Sequence, residues 1–149
     1  MSLAKSAVGM LASAFLLSGC VHFLPSYDAA LYDEVVGVNG ELDKIEAAVT
    51  AVYSPAPSFD KVEGFYVAAV AHLTEAERIA TGQRLYYSGQ LAAEPAGLIA
   101  AAIGNCRRAV TAVMERHRRA PIDAAAWSVL ALEEVCGVPA LMVGRLNRN

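Results

Sequence analysis

Aromatic side chains are scarce in this chain, 7% of 149 residues, with a single tryptophan at position 127. Core packing therefore falls to the abundant Ala, Val and Leu. No segment alternates apolar and polar residues over the length of a strand, and no fixed-period repeat or low-complexity tract occurs, which argues against sheets, solenoids and tandem arrays. Positive charge is in deficit, with 12 Lys and Arg against 15 Asp and Glu, the opposite of a nucleic-acid binder. Cysteine is limited to Cys20, Cys106 and Cys136, and none forms a Cys-x-x-Cys pair, so a dithiol redox site and haem attachment are unsupported. A Gly-rich phosphate loop, a Gly-x-Ser-x-Gly elbow and a His-Glu-x-x-His metal motif are all missing. The three histidines, His22, His72 and His117, are scattered. His72 and Glu75 lie one helical turn apart, but in the reverse order of a di-iron Glu-x-x-His pair and without its second copy. They read as core-edge or surface residues, and no metal, cofactor or catalytic group is expected.

What is present begins at the N-terminus. Met1 to Lys5 is a short head with one positive charge, and Ala7 to Leu17 is apolar and free of charge. Small residues at Ser18 and Gly19 then precede Cys20. A charged head, an apolar core and a small-residue site describe a secretory signal peptide. Leu17-Ser18-Gly19-Cys20 resembles the lipobox of bacterial lipoproteins, a resemblance confined to this leader. It implies a signal peptide over residues 1–19 that is cleaved, and a diacylglyceryl group on the Cys20 thiol. Several acyl chains anchor stably where one is marginal. Val21 stands where that class carries Asp for inner-membrane retention, so the resemblance implies the outer membrane, facing the periplasm. An uncleaved membrane helix from Ser6 to Tyr27 is long enough to span, but Gly19-Cys20 and Pro25 fit it poorly. A plain secreted protein is the remaining alternative.

Residues 20–149 suit one helical envelope domain with a real core. Removing the leader leaves a formal charge of −4, from 11 bases and 15 acids, unevenly placed: residues 21–97 hold 11 acids and 4 bases, residues 98–149 hold 4 acids and 7 bases. From Ser26 to Tyr53, Leu31, Val35, Val38, Leu42, Ile45, Val49 and Val52 recur in alternating steps of 4 and 3, a stripe that seats one helix against another. Gly37 and Asn39-Gly40 mark a kink or break in it, and Pro55 and Pro57 end it. A second helix is predicted from Phe59 to Tyr87, opened by Asp60 and Glu63 as an acidic capping box, with Val62, Tyr66, Ala69, Leu73, Ala76 and Ala80 on one face. Glu94-Pro95 opens a third. Its stripe is Ile99, Ile103, Cys106, Val110, Val113 and His117, and it closes on Arg116 to Arg119, cations the helix dipole favours there. Asp123 caps a fourth, running to Cys136-Gly137 and apolar nearly all round, hence expected to be the most buried. Pro139 to Leu146 forms a further short turn. The fold class is all-α, an antiparallel up-down four-helix bundle, with another compact all-α arrangement as the alternative.

Cys106 and Cys136 each lie 13 residues from the turn between helices three and four. In an antiparallel hairpin their sulfurs stand at equal height, about 20 Å along each leg. In an exported chain this spacing predicts a disulfide; two buried thiols are the alternative. Arg107, Arg108, Arg116, Arg118 and Arg119 are the candidate patch for anionic lipid headgroups, lipopolysaccharide phosphates or an acidic protein surface, weighed against a merely solvated helix face. Tyr86-Tyr87 and Phe65-Tyr66 read as packing. The functional expectation is a binding or structural role, not catalysis: a subunit anchored through Cys20 that contacts another envelope protein. A carrier for a small apolar ligand within the bundle is the alternative, ahead of an envelope enzyme.

Overall fold

The structure, a computed structural model, describes residues 23–51 and 55–148. The predicted leader, Cys20, His22, Val52 and Tyr53 lie outside the described residues. All regular elements among them are helices: α1 (Ala29–Val49), α2 (Phe59–Tyr86), α3 (Ala93–Arg119), α4 (Ala124–Ser128) and α5 (Leu132–Leu146). α1 packs on α2, α2 on α3, α3 on α5, and α5 returns to α1, with α4 against α1. No described helix is long and apolar enough to cross a membrane.

The three long stripes face one core. Leu31, Val35, Val38, Leu42, Ile45 and Val49 are buried along α1, so this stripe serves the chain's own interior. All six residues predicted for α2 are buried with it, as are the six of α3. In α2, Ala69, Ala76 and Ala80 keep the stripe thin, which lets its neighbours come close. α1 does not break at Gly37 or Asn39-Gly40. Asp28 caps it, its carboxylate accepting from the Leu31 N–H at 3.0 Å. The cap of α2 is Ser58 rather than Asp60, and Asp60 lies instead in the first turn, where a carboxylate favours the positive end of the dipole.

The fourth segment departs from expectation. It is two helices, not one, and it is not the most buried element: Ala125 and Val129 face solvent. The cause is a conflict of faces. On a continuous helix, Trp127 would point about 120–180° away from Leu132, Cys136, Pro139 and Val143. One core cannot receive both faces. The chain solves this by leaving the helix after Ser128 and re-entering at Leu132, through Ala131 in the left-handed region (φ 50°, ψ 30°). Trp127 and the whole α5 stripe are then buried together. α5 also runs on through Gly137 and Pro139 to Leu146, not stopping at Cys136-Gly137. Pro139 removes one ladder donor, and its ring is buried in the core.

Cys106 and Cys136 are joined by a disulfide with Cα atoms 4.8 Å apart, closing a sequence separation of 30 residues. Cross-linking such a loop is worth about 3.5 kcal/mol in the chain-entropy model. Reduction should therefore lower the thermal midpoint by more than about 10 °C and raise the intact mass by two hydrogens; an unchanged mass means the bond is absent. Ala131→Gly should relieve the left-handed backbone and stabilise by about 0.5–1 kcal/mol. A denaturant midpoint that falls in this variant would show that the turn is not held there.

Candidate functional site

Among the described residues polar side chains gather at several places, four of which bear on function, and each begins with what the helices bring together. The deepest is the His117 pocket between α2 and α3. His117 closes the apolar stripe of α3 and is 1% exposed, so both ring nitrogens need partners. Nε2–H donates to the Pro57 carbonyl at 3.0 Å, which leaves Nδ1 to accept the Tyr66 hydroxyl proton at 3.2 Å. Burial pushes the Tyr66 phenol above its ordinary range and keeps that proton in place. Phe59 stacks on Tyr66 and meets His117 edge-on, sealing the group. Every polar atom here is satisfied within the protein, so the arrangement is a structural clamp between the start of α2 and the end of α3.

His72 is half-exposed and its Nδ1–H donates to Glu34 Oε2 at 2.7 Å, tying α2 to α1. Its ring occupies the space over Gly37, where a Cβ would come within 2.9 Å of the imidazole. The predicted kink residue is thus a contact residue. Glu75 turns away and pairs with Arg78. Among the described residues, no three His, Cys, Asp or Glu side chains converge on a metal position.

The third place is a cleft of about 220 Å³ beside the break in the fourth segment, lined by Glu46, Trp127, Ser128, Ala131, Glu133 and Glu134. A hydrogen bond to Glu133 holds the Glu46 carboxyl above the ordinary carboxylate range, aided by partial burial and by repulsion from Glu133 and Asp43. The pair joins α1 to α5 across residues remote in sequence. Asp43 and Glu46 lie off the apolar stripe of α1, but the partner of Glu46 depended on the unforeseen turn at Ala131.

The fourth is the arginine set, which the fold does not gather into one patch. Arg107 and Arg108 stand about 12–18 Å along α3 from Arg116, Arg118 and Arg119. Arg107 Nε lies 2.6 Å from Glu77 Oε2 on α2, a close charge contact whose N–H is not aligned as a hydrogen bond. Arg108 donates to Asn105 in its own helix. Arg118 pairs with Glu115 at 2.7 Å and lies 4.9 Å over the Phe59 ring, a cation–π contact. Arg116 and Arg119 are exposed at the end of α3, so the anion-facing group reduces to this helix end.

Of the aromatic pairs, Phe65 packs against the core, and Tyr66 and Tyr87 are buried. Tyr86 is exposed at the end of α2 and meets the Tyr87 ring edge-on, with centroids 5.0 Å apart. An apolar cleft of about 240 Å³ is lined by Leu24, Pro95, Leu98, Ile99, Met142, Arg145 and Leu146. Leu24, four residues after Cys20, brings the chain ahead of α1 into it. Comparison with protein-family models, with curated proteins and with solved structures finds no match for the chain.

A raised carboxyl contributes stability below its unfolded value and loses it as pH rises through the folded one. Glu46→Gln keeps a hydrogen bond and removes the charge. It should raise the melting temperature at pH 7 by about 1–2 °C, with the gain vanishing by pH 4. A constant gain across that range in calorimetry would mean that Glu46 and Glu133 do not share a proton.

Proposed function

We propose that the mature chain is a lipid-anchored binding subunit of the bacterial cell envelope, held at the membrane through Cys20 and contacting another envelope protein. The observation that carries this reading is the pairing of Cys106 with Cys136. A structural disulfide suits an oxidising compartment, and it leaves Cys20, inside Leu17-Ser18-Gly19-Cys20, as the single thiol for acylation. The role is binding rather than catalysis, on the outer membrane facing the periplasm.

In this reading the helices form an antiparallel up-down bundle of four legs, with α4 and α5 sharing the last. Three contacts support it. Asp28 at the start of α1 accepts from Gln83 near the end of α2. Phe59 at the start of α2 packs on His117 near the end of α3. Leu98 near the start of α3 shares its cleft with Leu146 at the end of α5. The partner-facing region is then the distal end of α3, with Arg116, Arg118 and Arg119 offered to an acidic surface.

The apolar cleft beside Leu24 favours a second reading, a carrier for an apolar ligand, which a co-purified lipid in the mass spectrum would reveal. Cross-linking in intact cells, with recovery of tagged protein from solubilised membranes and Cys20→Ser as the unanchored control, separates the two. One stoichiometric partner, lost in Cys20→Ser and weakened by Arg116→Glu with Arg119→Glu, is the expected result. Recovery of the protein in the membrane fraction without a partner would remove the subunit reading.

A further inference from the structure

We propose that the end of the molecule where α1 begins is a bilayer-docking surface, with Phe23, Leu24, Leu85, Tyr86, Leu91 and Leu98 immersed in the lipid interface. The proposal rests on the lipid-anchored reading of Cys20 and adds to it an orientation and a set of contacts.

Four chain segments meet at this end. The Ser26 N–H donates to the Tyr87 hydroxyl at 2.9 Å, and Gln83 donates to Asp28, so the start of α1 is held against the end of α2. The turn after Tyr86 leads directly into α3. Leu24, Leu98 and Leu146 share one cleft, which adds the start of α3 and the end of α5. Here the large apolar side chains are outside: Phe23 is 65% exposed, Leu85 66%, Tyr86 74%, Leu91 59% and Leu98 56%. Single exposed apolar residues are ordinary, but several on the segments that meet at one end, with Leu24 and Leu98 lining its cleft, mark a binding surface.

The position of Cys20 selects the occupant. Val21 and His22 alone separate it from Phe23, a path of at most about 11 Å even when fully extended. An acylated Cys20 brings this end, and no other, to the headgroups. Tyr86 has the amphipathic ring that favours the membrane–water boundary. Arg84 and Arg148 are exposed nearby and are long enough to reach lipid phosphates from the rim. Glu94, in the first turn of α3, must stay at that rim. Arg118 stands about 30 Å further along α3 than Leu98. A seated molecule therefore points its distal arginines away from the lipid, toward a protein.

The test uses the full chain, expressed with its leader and purified in detergent. It is reconstituted into vesicles of phosphatidylethanolamine and phosphatidylglycerol whose acyl chains carry bromine, a short-range quencher of indole. Trp127 lines the same cleft as Glu46, which stands about 26 Å along α1 from its start, and serves as the distal control. In a Trp127→Phe background, Tyr86→Trp is expected to lose most of its emission, and Leu91→Trp the same, while Trp127 in the unaltered chain loses little. Equal and weak quenching at both ends, with acyl mass present on Cys20, would overturn the docking surface and leave the anchor standing. Protection of position 86 that depends on protein concentration would assign the face to a second copy and also overturn it. Absence of acyl mass on Cys20 would remove the anchor and the docking surface together.

Discussion

The bond between Cys106 and Cys136 holds α5, an element that could not otherwise be relied upon. α5 is short, follows a left-handed residue, and carries Pro139 inside its ladder. Alone, such a helix would be marginal. Yet it must cover α3 on one side and α1 on the other, since it completes the ring of packed helices. The covalent link sits near its first turn and fixes its height against α3. From there Val143 is carried into the core and Leu146 to the far cleft.

Around that link, the interior is closed mainly by shape. Among the described residues its apolar wall is interrupted by the His117 clamp, which is internally satisfied. Two charge pairs run across the surface between neighbouring helices, Glu34 to His72 and Glu77 to Arg107, while others such as Glu75 to Arg78 stay within one helix. Exposed pairs of this kind set register more than they add stability.

The long helices were legible because their apolar residues recur in steps of 3 and 4, and such steps specify a face as well as a conformation. Leu31 to Val49 on α1 and Ile99 to His117 on α3 needed no further information. The fourth segment was opaque for the opposite reason. From Ala124 to Leu132 nearly every position is apolar, so the sequence carries no phase, and the clash between the face of Trp127 and that of Cys136 emerges only once a core exists to receive them. The disulfide was still foreseeable, because the break shifts the leg without moving its end away from Cys106. The arginines misled in a similar way. Their crowding in sequence is a property of α3, but what each one meets is decided by α2, through Glu77 and Phe59. The Glu46–Glu133 pair lay hidden because two distant segments supply it.

The hydrogen bonds between Ser26 and Tyr87 have a mechanical consequence. Any tension on the chain ahead of Ser26 reaches the turn between α2 and α3 before it reaches the first residue of α1. Asp28, bonded both to its own helix and to Gln83, forms the next stop. Such a pull is thus shared between two helices at their junction, and α1 is spared from being unwound one residue at a time.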